Sequence, residues 1–166
     1  MYKNNIDGYK CFNKDLTSNI DGFSFKPNRI YTMNKDIKYH KRGFHFALRL
    51  EDTLRFFDEE KEICRIKALG DIDWSNDDYY EYYDLGCTNI IYIGKIMTKE
   101  EIINYIDKVS DNRFIRFIQG YKLTNEELNY FKEKYKNNNY VLEYLKYYQE
   151  KEEDIFDKYY GKILKR

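Results

Sequence analysis

Cysteine is scarce in this chain of 166 residues, with only Cys11, Cys64 and Cys87, and no two of them stand at C-x-x-C spacing. Zinc sites built on that spacing are excluded. The odd number fits a reducing compartment. The N-terminus shows neither a basic n-region nor an apolar h-region, so no signal peptide is expected. Net charge is missing too: Lys+Arg and Asp+Glu both total 29. A general nucleic-acid binder would show a basic excess, and that class is disfavoured. No apolar run approaches the roughly 18 residues that a membrane span needs. The expected setting is cytoplasmic, with no membrane partner. Glycine is sparse, and Gly8, Gly22 and Gly43 stand isolated, so there is no P-loop or glycine-rich nucleotide loop; nor is there a Ser/His/Asp order. The two histidines, His40 and His45, lie five apart without a placed carboxylate, and no metal site is expected.

What is abundant is the aromatic ring: 19 Tyr and 11 Phe against a single Trp. With 42% hydrophobic residues the chain is not disordered. A Tyr-rich core needs partners for its hydroxyls, so many rings should sit edge-in and tip-out. Such a composition fits either an AT-rich genome or a Tyr-rich binding surface. Charge is segregated although it sums to zero. Lys26, Arg29, Lys35, Lys38, Lys41 and Arg42 are opposed only by Asp36. Asp71, Asp73, Asp77, Asp78, Glu81 and Asp84 have no base among them. These runs read as solvated loops; the acidic one also offers a nucleic-acid-like surface to a basic partner groove. Its spacing is not that of an EF-hand loop.

In chain order, residues 8–12 form a short strand candidate. Asp21-Gly22 signals a turn, and Phe23 and Phe25 alternate with polar residues as in a half-buried strand. Pro27, the only proline, breaks it, and Arg29 to Met33 is again extended. Phe44 to Leu48 reads as a strand with Phe44, Phe46 and Leu48 on one face and His45 and Ala47 on the other. Glu51 to Phe57 is a short helix, and Ile63 to Leu69 alternates as a strand ending at Gly70. Residues 71–88 read as an acidic, Tyr-rich loop. Asn89 to Ile93 is the most β-prone segment, closed by Gly94. Beyond residue 97 the texture becomes helical. Thr98-Lys-Glu-Glu101 and Thr124-Asn-Glu-Glu127 are capping boxes. Between them Ser110 caps a helix that ends at Gly120 as a C′ residue. A last helix starts near Tyr140. The expected fold is α+β. A β-rich module with an antiparallel or mixed sheet and one short helix spans 1–97, followed by three to four helices in 98–166, either packed on it as one domain or separate.

Tyr9-Lys-Cys-Phe-Asn-Lys-Asp-Leu16, Gly43-Phe-His-Phe46, a short helix and Ala68-Leu-Gly-Asp-Ile72 resemble a small uncharacterised domain family of phages, prophages and large DNA viruses. Its pattern runs Y-K-G-F, then G-F-H-F-C, then A-L-G, and it covers about residues 8–97. Cys11 and Ala47 depart from it. That resemblance implies a phage or viral setting and no particular activity. A more distant similarity links Gly43-Phe-His-Phe-Ala47, the helix and Ile66-Lys-Ala-Leu-Gly70 to the ADP-ribosyltransferase fold. There a His and a Tyr hold NAD, and a Glu stabilises the oxocarbenium-like centre as nicotinamide leaves. By position Lys10 stands for that His, His45 for that Tyr and Asn89 for that Glu. The resemblance therefore implies a site degraded for transfer.

Two function classes are expected. The leading one is a non-enzymatic, virus- or phage-encoded protein that occludes a host protein or ribonucleoprotein as a defence or regulatory factor. Its contacts would come from Tyr79, Tyr80, Tyr82, Tyr83, Asp77 and Asp78, and it needs no cofactor. The alternative is an ADP-ribosyltransferase-like protein that binds NAD or a nucleotide in a cleft lined by Lys10, His45 and Phe46.

Overall fold

A computed structural model describes residues 2–18, 22–39, 41–54, 61–75 and 84–148. The chain divides into two compact units, Met1–Lys108 and Val109–Arg166. The first unit holds a seven-stranded antiparallel sheet: β1 (Ile6–Asn13), β2 (Arg29–Thr32), β3 (Phe44–Ala47), β4 (Lys61–Ala68), β5 (Ile72–Trp74), β6 (Leu85–Thr88) and β7 (Ile90–Ile96), in the order β2-β7-β4-β1-β3-β6-β5. The α+β architecture expected from the sequence is present, with several helices following the sheet.

Alternation builds this sheet. In β4, Cys64, Ile66 and Ala68 point to one face while Arg65 is exposed on the other. Phe12, Cys64, Ile66, Ala68, Ile91 and Ile93 form the core with Leu16, Phe25 and Phe46. The segment 22–33 closes over it: Phe25 lies 5.1 Å from Phe12 and 6.1 Å from Phe44, ring to ring. Phe23 and Phe25 do not belong to a named strand; only Ser24 pairs, with Thr17, as an isolated bridge. Two backbone bonds flank that bridge, the Phe25 amide to the Leu16 carbonyl at 2.9 Å and the Ser18 amide to the Phe23 carbonyl at 2.8 Å, and aromatic packing adds to this short pairing.

The opposite face carries Tyr9, Cys11 and Ile63, and α2 (Lys99–Ile106) serves it. Ile102 and Ile106 are buried, and the Tyr105 ring lies 5.3 Å from that of Tyr9. The Tyr105 hydroxyl donates to a Glu51 carboxylate oxygen on α1 (Leu50–Thr53) at 3.4 Å. Residues 55–60, the rest of the predicted 51–57 helix, lie outside the described residues.

Residues 71–88, expected to be loop, include β5 and β6. Every residue of β6 is buried, so no polar face alternates along it, and β5 is only three residues long. Gly94 does not close β7; it lies inside the strand, where the register with β4 shifts between Cys64 and Ile66.

The second unit begins with α3 (Asp111–Gly120) and α4 (Asn125–Lys134), and residues 139–148 are helical. Phe114 lies 4.6 Å from Phe131 and 4.9 Å from Tyr135, above buried Val141 and Leu145. Tyr148 fastens the loop between α3 and α4: its hydroxyl accepts from the Leu123 amide at 3.0 Å and donates to the Tyr121 carbonyl. Both predicted capping boxes are formed, at Thr98 and Thr124. Ser110 is the N-cap residue of α3 without a side-chain cap bond, and Gly120 is the last helical residue instead of lying beyond the helix. Among the described residues no helix is long and apolar enough to cross a membrane.

A candidate ligand cleft where the sheet splits

The sheet changes character at its centre. β1 pairs with β4 along its whole length, from Ile6↔Ala68 to Asn13↔Lys61, and β3 pairs with β6 from Phe44↔Thr88 to Ala47↔Leu85. Between β1 and β3 the register holds one partner pair, Tyr9↔Ala47. Past that point the strands diverge, and a cleft of about 590 Å³ opens between them. Gly8 sets the closed end: a Cβ there would stand 2.6 Å from the Ala47 carbonyl oxygen, so only glycine allows the two backbones to approach so closely.

Lys10 crosses the gap. Its Nζ donates to the His45 carbonyl oxygen at 2.9 Å, serving an acceptor that a continuous ladder would have paired with a backbone amide. The same Nζ lies 5.4 Å from the Phe12 ring centre and 5.9 Å from that of Phe25. Phe46 is almost fully buried and forms part of the floor; its ring meets Trp74 at 5.7 Å across Gly86, whose lack of a side chain leaves room for the indole. His45 faces the other way along β3, and its ring meets Tyr39 edge-on at 5.4 Å.

One wall of the cleft is aromatic. Phe23, Phe25, Tyr31 and Phe44 form it, with Phe25 and Tyr31 5.0 Å apart and Phe23 exposed at the rim. The other wall is the basic segment before β3, which contributes Tyr39, Lys41 and Arg42. This segment is strapped to the sheet at two points. The Tyr39 amide donates to Asp73 on β5 at 2.8 Å, and the Cys87 thiol on β6 donates to the Arg42 carbonyl at 3.6 Å. Gly43, at φ +136°, turns the strap into β3, and a Cβ there would press on Cys87 at 3.0 Å.

Three cations, Lys10, Lys41 and Arg42, thus line one cleft together with His45, and no carboxylate stands among its described lining residues. The geometry suits an anionic ligand with a flat ring. Thiol chemistry is not on offer. Burial pushes Cys11, which lines the cleft, up to about 12, and burial followed by the Asp73 charge pushes Cys87 up to about 11, so both are neutral at pH 7. Among the described residues no group of His, Cys, Asp and Glu is placed to hold a metal.

Lys10, His45 and Phe46, singled out from the sequence, therefore share one cleft. Asn89 is elsewhere. It stands between β6 and β7, and its side-chain oxygen accepts from the Asp71 amide at 2.8 Å. It is a turn residue, and the strand opposite β3 is β6. Asp77, Asp78, Tyr79, Tyr80, Tyr82 and Tyr83 lie outside the described residues, as does His40. The described members of the acidic run face separate partners: Asp71 pairs with Lys3, Asp73 with the strap and Asp84 with Arg49 at 2.9 Å. Sequence reading missed the aromatic wall and the strap as parts of a site. The signal for the strap was present in the run of bases ending at Arg42-Gly43, but nothing local tells which surface such a loop covers.

Over residues 6–104 the chain matches a protein family described as a domain of unknown function (DUF7666). No curated protein and no solved structure matches the chain.

Proposed function

The chain belongs to the DUF7666 family, and from that premise we propose that its first unit is a nucleotide-binding module. It holds a nucleoside pyrophosphate of the NAD type in the β1/β3 cleft and performs no transfer. The observation behind this reading is the meeting of Lys10, His45 and Phe46 in one cleft that also gathers Lys41, Arg42 and an aromatic wall. Cations at the mouth suit the pyrophosphate, and the rings suit a base. Such a split sheet is what the distant ADP-ribosyltransferase resemblance implies. The described lining residues include no carboxylate to stabilise an oxocarbenium centre, which favours binding over transfer. In the phage or viral setting suggested by the motifs, capture of a host nucleotide is the role that follows. Residues 77–83, through which occlusion of a host protein or ribonucleoprotein would run, lie outside the described residues.

The test is calorimetry of the full chain with NAD, NADH, ADP-ribose and ADP, alongside a labelled-NAD transfer assay on host lysate. The expected result is binding of at least one of these, weakened at least tenfold in His45→Ala, with no labelled product. Silence with every nucleotide overturns the proposal. Transfer of label overturns its non-catalytic half.

A further inference from the structure

The aromatic wall raises a question of charge. Ring faces attract cations, and a cleft lined by Phe23, Phe25, Tyr31 and Phe44 would ordinarily welcome a positively charged heterocycle such as a pyridinium. At Phe25, one of these four rings, a cation is already in place. The Lys10 ammonium lies over the rings of Phe12 and Phe25, at 5.4 and 5.9 Å, and its bond to the His45 carbonyl holds it there. Phe12 is fully buried and Phe25 nearly so, so their faces have little other access. Lys41 and Arg42 line the same space, and no described lining residue is a carboxylate that would offset them. A second cation entering this cleft meets repulsion from Lys10, which is part-buried and so less screened than a surface charge, added to the weaker, water-screened repulsion of the exposed Lys41 and Arg42.

We infer that the cleft selects by ring charge: it takes nucleoside pyrophosphates whose rings are neutral, such as NADH and ADP-ribose, and discriminates against the pyridinium of oxidised NAD. The inference rests on the nucleotide-binding reading above and goes past it, because it sets the ligand apart from the substrate an ADP-ribosyl-transferring site requires. NADH and oxidised NAD differ by one charge on rings of nearly the same shape, so their ratio of affinities isolates electrostatics. ADP-ribose has no nicotinamide ring and serves as the ring-free control. Lys10 is the discriminating residue, and the two mouth cations set overall affinity.

The experiment titrates the full chain with NADH, oxidised NAD and ADP-ribose by calorimetry at fixed ionic strength. The wild type is expected to bind NADH and ADP-ribose about tenfold more tightly than oxidised NAD. Lys10→Met is expected to bring the NADH-to-NAD ratio close to one, Lys10→Arg to keep it, and Arg42→Gln to weaken all three ligands several-fold while leaving most of the ratio. A wild type that binds oxidised NAD as tightly as NADH overturns the inference while leaving the nucleotide reading intact. So does a ratio that survives in Lys10→Met or is lost in Arg42→Gln. Silence with all three ligands is a failure of the nucleotide reading itself. The wild-type ratio and the charge-keeping Lys10→Arg remain decisive even if Lys10→Met does not fold.

Discussion

The two edges of β1 divide the labour of the first unit. Toward β4 the strand is laddered along all its residues, and Phe12, Cys64, Ile66 and Ala68 on that ladder belong to the core. Toward β3 it makes one register pair and then parts from its neighbour. Backbone polarity satisfied on one side by regular pairing is met on the other by a lysine side chain. A sheet tolerates such an opening because its cohesion is concentrated elsewhere: β4 and β7 back β1, and β6 backs β3. The lesson is that one strand can serve as core on one edge and as the lip of a binding site on the other.

This contrast can be challenged by substitution. The largest effect is expected at Phe12→Ala, which empties a fully buried aromatic site behind the laddered edge. A loss of about 3–5 kcal/mol, read by denaturant unfolding, is anticipated. A loss near zero would mean that the laddered edge is not the anchor. Next comes Gly8→Ala, whose Cβ would meet the Ala47 carbonyl at 2.6 Å where β1 and β3 touch. It should cost about 1–3 kcal/mol and alter nucleotide affinity as the cleft is forced to reshape. Unchanged binding would separate the closed end from the site. Smallest in stability is Lys10→Met, which removes the bond to the His45 carbonyl and the contacts over Phe12 and Phe25 in a part-buried position and should cost about 1–2 kcal/mol. A loss comparable to Phe12→Ala would show that the open edge is structural after all.

Legibility from the sequence followed the range of the forces involved. The capping boxes at Thr98 and Thr124 were plain because they are closed within four residues. Strands β1, β3 and β4 were legible from their motifs and alternation although each buries residues on both faces, Cys11 and Phe12, Phe46 and Ala47, Ile63 and Cys64. β6 was hidden because Leu85 to Thr88 is buried on both faces, and burial without alternation has no period. The strand-like look of Phe23 and Phe25 reported half the truth: a single bridge and two backbone bonds to Leu16 and Ser18 lie beneath them, and ring packing supplies the rest. At the site, Lys10, His45 and Phe46 were found through motif resemblance, and Lys41 was visible only as charge. Tyr39 and Asp73, 34 residues apart and joined by one hydrogen bond, had no local signature at all.

The sheet's outer boundaries bear on how the molecule behaves in a crowd. β2 and β5, the terminal strands, are four and three residues long. A passing chain that tried to add itself to either side would find only a few backbone groups to grip, and on β2 it would also face the exposed Arg29. A chain so rich in tyrosine and phenylalanine runs a constant risk of sticking to its own copies. Among the described residues, these brief borders leave a would-be fibril little template from which to grow.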